Sequence, residues 1–104
     1  MKVFNAVDMQ VGGSAPRPTR VFHETPEFKM RAIDLPPGGS IPPCEMASRV
    51  VFVCLAGEVS VSVDGEDAML SSGAGLVSGP ATLSMRTASG ARLLGIQIAP
   101  AGGA

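Results

Sequence analysis

The sequence predicts an all-β fold, a closed β-sandwich or barrel built from short strands. Apolar residues recur with period two almost throughout the chain, the pattern of strands with one buried face and one wet face. No segment carries a helical stripe over ten residues. Glycine and proline number 13 and 9 in 104 residues, so turns punctuate the chain at near-regular spacing and leave little room for long helices.

Taken in order, residues 2–5 read as an additional edge strand, and residues 6–18, with Gly12-Gly13-Ser14 and two prolines, as an extended arm or loop. Strands follow over residues 19–23 and 28–35, the second stopped by Pro36-Pro37-Gly38-Gly39. Residues 50–55 form a β-branched and aromatic run, and Val59-Ser60-Val61-Ser62-Val63 alternates strictly. These are read as two adjacent strands, 50–55 and 58–63, joined at Gly57. Asp64-Gly65 then supplies the positive φ angles of a tight hairpin. Further strands over residues 67–70, 75–78, 83–87 and 92–98 are separated by Ser71-Ser72-Gly73, Gly79-Pro80 and Ser89-Gly90. The spacing therefore predicts one domain of about eight strands, with an arm and edge strands over 1–27, a core barrel over 28–98 and a small-residue tail over 99–104.

Composition excludes several functions. At 45% apolar residues the chain has enough material for a core without metals or disulfides. A net charge of −1, without a run of Lys or Arg, makes nucleic acid and anionic membranes poor partners. Trp and Tyr are absent, which removes the usual stacking platforms for bases and sugars. Cys44 and Cys54 are spaced unlike a zinc motif and are too few for a disulfide framework. No apolar leader begins the sequence and no 18-residue apolar run occurs, so a cytoplasmic setting with reduced thiols is expected.

The stretch Pro37-Gly38-Gly39-Ser40-Ile41-Pro42-Pro43, followed by Val53-Cys54-Leu55-Ala56-Gly57-Glu58 and Val63-Asp64-Gly65-Glu66, resembles the first signature motif of small single-domain cupins. Residues from Gly73 through Pro80 to Ser84 resemble the second. The resemblance covers residues 28–98. It implies a jelly-roll β-barrel of two antiparallel sheets and, commonly, a homodimer. It also implies a divalent metal held by three His and one Glu, whose places fall here on Cys44, Met46, Val50 and Ser84. Val has no donor atom, and Met and neutral Ser are poor ligands for hard cations. His23, the single histidine, lies outside both motifs. The expectation is therefore a cupin that uses no metal cofactor.

Strand alternation directs Cys44, Met46, Val50, Phe52 and Cys54 toward the barrel interior. Two thiols and a thioether suggest a soft transition-metal site, but the same residues serve equally as buried hydrophobes that fill the space of lost histidines. Ser84 and Arg86 share a strand face, so Arg86 is a candidate fork for an anionic ligand as well as a plain solvated cation. Glu45 points away from its neighbours and reads as surface. The glycines of Gly73-x-Gly75-x3-Gly79 miss the spacing of a dinucleotide loop and read as turn chemistry. The interior offers few titratable groups, which favours a binding or scaffold domain for a small, mostly apolar or anionic ligand. The alternative is an enzyme of isomerase or dioxygenase type with a metal-free or sulfur-ligand site.

Overall fold

The computed structural model describes residues 1–6 and 19–99. The arm from residue 7 to 18 and the tail from residue 100 lie outside the described residues. The strands are β1 (Thr19–Glu24), β2 (Phe28–Leu35), β3 (Ser40–Met46), β4 (Arg49–Val63), β5 (Glu66–Ser71), β6 (Gly75–Ser78), β7 (Ala81–Arg86) and β8 (Ala91–Ile98). All pairings are antiparallel. One sheet runs β1-β2-β8-β4-β6 and the other β3-β7-β4-β5, so β4 belongs to both.

The two strands expected on either side of Gly57 are one 15-residue strand. Its first half pairs with β8 and β6 and its second half with β5 and β7. The change of sheet is made by a register shift between Cys54 and Ala56 and by Gly57, whose φ of 77° suits a residue without Cβ. A bulge followed by glycine bends a strand without ending it, which is why a turn-like signal here does not separate two elements.

Strand β3 is not among the strands bounded by turn signals in the sequence, although the alternation applied to Cys44 and Met46 requires one. It forms at a sheet edge, where its pairing with β7 shifts register between Ile41 and Cys44. Proline lacks an N–H and is tolerated at edges and bulges. Residues 2–5 do not form a strand. Lys2 Nζ instead donates to the Phe22 carbonyl at 2.6 Å, and the Phe4 ring lies 4.9 Å from that of Phe22.

The core lies between the sheets. Val50, Phe52 and Cys54 from β4 meet Ile33 and Leu35 from β2 and Leu93 from β8, while Val59, Val61, Leu83 and Met85 face them from the second sheet. Each large side chain buried in this way contributes about 1.5–3 kcal/mol. The Asp64-Gly65 hairpin carries the expected positive φ angles, 49° and 86°.

Candidate functional site

Register decides what faces the barrel interior. Paired residues in an antiparallel ladder share a face, so the row Arg31–Gly95–Phe52–Leu76 crosses the first sheet on its inner side. Arg31 has the same parity as Ile33 and Leu35 and extends the inner face of β2 past the apolar layer. Gly95 is buried, and a Cβ there would lie 3.0 Å from the Phe52 ring. Its missing side chain gives the ring its seat.

Above this layer the sheets leave a cavity of about 210 Å³. Ile33, Ile41, Phe52, Leu83 and Met85 make its apolar wall, and Cys44 and Met46 enter from β3. The polar lining is Thr19, Arg31, Ser84 and Gln97. Arg31 Nε donates to Gln97 Oε1, which fixes the guanidinium while its terminal nitrogens are left for another acceptor. Among the described residues no carboxylate pairs with Arg31.

The seven residues singled out in the sequence divide into three groups. Cys44, Met46, Phe52 and Ser84 line this cavity. Val50 and Cys54 are fully buried in the core and do not reach it. Arg86 is exposed and borders a separate hollow with Glu58, Ser60 and Thr87. The reason is register: Arg86 pairs with Ser40 and Ser60 on the outer face of the second sheet, while Leu83 and Met85 take the inner positions; Ser84, half-buried and paired with Ser62, shares the parity of Arg86 yet still borders the cavity. Glu45 is exposed opposite Thr82.

The sulfurs are likewise divided. Cys44 Sγ lies 3.9 Å from Met46 Sδ, whereas Cys54 Sγ donates to the carbonyls of Ala56 and Gly57 at 3.5 and 3.6 Å. Burial pushes the Cys54 thiol pKa up, against the lowering effect of a hydrogen bond with the Ala56 backbone. His23 packs against Phe28 with ring centroids 5.7 Å apart and borders a different hollow, so it does not meet Cys44 or Ser84 there. Among the described residues no three His, Cys, Asp or Glu side chains gather to hold a metal. The four places at which the resemblance puts metal ligands offer one thiol, one thioether, one hydroxyl and one aliphatic group, a set that does not suit a hard divalent cation.

Arg31, Gln97 and Thr19 are the site residues that sequence reading missed. The signal was present in Arg31-Ala32-Ile33-Asp34-Leu35, whose alternation puts Arg31 on the apolar side.

Two antiparallel sheets closed over one apolar interior and joined by a strand that serves both define a small jelly-roll barrel. No protein-family model matches the sequence, and no curated protein matches it. Solved structures do. The TT1209 protein of Thermus thermophilus is 22% identical, with 94% of this chain and 97% of that one covered and a TM-score of 0.82. An RmlC-like cupin from Desulfovibrio desulfuricans is 20% identical over 94% and 96% of the two chains, with a TM-score of 0.81. The SPY1581 protein of Streptococcus pyogenes, of unknown function, is 15% identical over 95% and 88%, with a TM-score of 0.78. At these identities the shared property is the fold, a cupin-type jelly-roll barrel. No helix among the described residues is long and apolar enough to cross a membrane.

Proposed function

We propose that the protein is a metal-independent, cytoplasmic binding domain that holds a small, mostly apolar molecule by its anionic end. The observation that carries this reading is Arg31, a cation lining an otherwise mainly apolar cavity and held by Gln97. A half-buried guanidinium with free donors is best satisfied by a carboxylate or phosphate, which it grips with two parallel bonds. A convergent polar group at one end of an apolar cleft is the usual layout of a small-molecule site. At the packing density of protein interiors, 210 Å³ accommodates about eight non-hydrogen atoms, the size of a six-carbon carboxylic acid.

The test is denaturing extraction of protein purified without an affinity tag, with mass spectrometry of what is released, followed by thermal melts with a panel of four- to eight-carbon carboxylates. A retained small organic acid, or a rise in melting temperature with panel members near six carbons, is expected. An empty extract together with unchanged melting across the panel contradicts the reading.

A second reading is favoured by one distance, the 3.9 Å between Cys44 Sγ and Met46 Sδ, with Met85 lining the same cavity. A thiolate with thioethers suits Cu(I), and such a centre is what an enzyme of the sulfur-ligand kind would need. Competition against a Cu(I) chelator tests it: uptake of one equivalent that is lost in Cys44→Ser supports this second reading, and no uptake removes it.

A further inference from the structure

We infer that the cavity selects 2-oxo acids with a short apolar tail and that Gln97 reads the oxo group, an inference that rests on the anion-binding reading of Arg31. Along β8 the inward positions run Leu93, Gly95 and Gln97, so an alternation that is apolar near the core ends on an amide. Register confirms that Gln97 faces inward. It pairs with Val50, which is fully buried in the core, and with Lys29 on β2. Gln97 therefore stands one inward row beyond the Arg31–Gly95 row, half-buried, in the cavity wall. A polar group taken partly out of water needs polar partners.

Hydrogen-bond chemistry fixes which way the amide points. Arg31 Nε can only donate, so the Gln97 amide must turn its oxygen to it, and Oε1 is the atom that accepts. With Nε engaged, the side-on fork of the guanidinium is closed, and a carboxylate must meet Arg31 through its terminal nitrogens. The same bond leaves Gln97 Nε2 with two N–H donors and no hydrogen-bond partner among the described residues. This end of the cavity thus presents donors alone. The one acceptor of the pair is already used.

A carboxylate on Arg31 brings its α-substituent beside the residue that holds Arg31. An oxo oxygen there accepts and never donates, which matches Nε2, whereas an unsubstituted acid leaves Nε2 unmet. An α-hydroxyl carries a proton that needs an acceptor of its own. The lining hydroxyls stand elsewhere: Thr19 pairs with Ile33, two inward rows from Gln97, and Ser84 lies on the opposite sheet. An α-ammonium is the worst fit, because no carboxylate among the described residues lines the cavity and an unpaired charge is costly away from water. Glu24 shares the row of Gln97, but Lys29 holds it at 3.7 Å. The apolar wall takes the tail, and 2-oxopentanoate matches in size the six-carbon acid that the cavity accommodates. A few placed polar groups above an apolar wall are what orients a ligand in such a cleft.

The experiment is equilibrium dialysis, read by mass spectrometry, of pentanoate, 2-oxopentanoate, 2-hydroxypentanoate and 2-aminopentanoate against wild type and Gln97→Met. Wild type is expected to bind 2-oxopentanoate about fivefold more tightly than pentanoate, the effect of one typical hydrogen bond. The hydroxy acid is expected between these two and the amino acid weakest. Gln97→Met, with an unchanged circular dichroism spectrum, is expected to bind 2-oxopentanoate and pentanoate alike. Wild type that binds pentanoate as tightly as 2-oxopentanoate, or a preference that survives in Gln97→Met, overturns the inference and leaves the carboxylate site standing. Wild type that binds none of the acids overturns both. Should Gln97→Met fail to fold, the order of the acids on wild type decides the matter, and any other order overturns the inference.

Discussion

A Cβ atom on Gly57 would stand 2.0 Å from the carbonyl oxygen of Gly90. The two glycines, with φ of 77° and 100°, meet where β4 passes between the sheets and where the turn after β7 leads into β8. This contact holds the barrel's bend, because the obstacle to a side chain is backbone and not a movable side-chain tip. Gly57→Ala therefore adds a left-handed strain of about 1–2 kcal/mol to a clash that must displace β8. The expected loss is about 3 kcal/mol in denaturant unfolding, within the range of backbone-special sites. A loss below about 0.5 kcal/mol, the size of an ordinary surface change, would show that the crossing is not so constrained.

Thr87 fastens the same corner. It is buried, its hydroxyl donates to the Glu58 carbonyl, and it accepts from the Gly90 N–H at 3.0 Å. Thr87→Val keeps the shape and leaves both backbone groups without this partner, at a cost of about 1–3 kcal/mol. Thr87→Ser is expected to restore most of it. Chemical denaturation of the three proteins checks the order.

Much of this architecture was legible in the chain. The alternation from Val59 to Val63, the Asp64-Gly65 turn and the bounds of β2 and β6 follow from period and turn chemistry alone. The crossing at Gly57 was not, because a glycine that bends a strand and a glycine that ends one look alike until the pairing partners are known. The bounds of strand β3 were hidden because Pro42 and Pro43 contradict a strand by local rules, and only an edge position with a bulge reconciles them. In the site, counting residues from motif glycines reached Ser84, which does border the cavity, but set Arg86 on the interior side with it. The bulge that sets Pro42 and Pro43 opposite Ser84 accompanies the reverse parity, with Leu83 and Met85 inside. Arg31 was overlooked because a charged residue in an early strand is read as solvated unless its parity is compared with that of Ile33 and Leu35.

The two cysteines should differ in chemistry. Cys44 is exposed and Cys54 buried, so a thiol reagent at pH 8 is expected to label one cysteine per folded chain promptly and the second only after unfolding. Simultaneous labelling of both would place Cys54 near solvent.

The raised pKa of Cys54 has a consequence for stability. The folded state holds the thiol proton more tightly than the unfolded chain, so unfolding releases it more readily once the pH exceeds the ordinary thiol value of 9.0. Stability from this group is fully present below that value and declines as pH rises through and above it, toward the raised folded value. Cys54→Ala should flatten the alkaline part of the stability profile relative to wild type while lowering its level through the lost packing. An alkaline slope identical in both proteins would assign the decline to other groups.

The most direct test of the central claim is calorimetric titration with three probes of one length, hexanoate, hexan-1-ol and hexylammonium, against wild type and Arg31→Met. Charge-assisted hydrogen bonds contribute about 1.5–3 kcal/mol. Wild type is therefore expected to bind hexanoate about 10- to 100-fold more tightly than hexan-1-ol, with hexylammonium weakest, and Arg31→Met to lose that preference while keeping hexan-1-ol. Equal binding of all three by wild type, or a hexanoate preference that survives in Arg31→Met, would contradict the account.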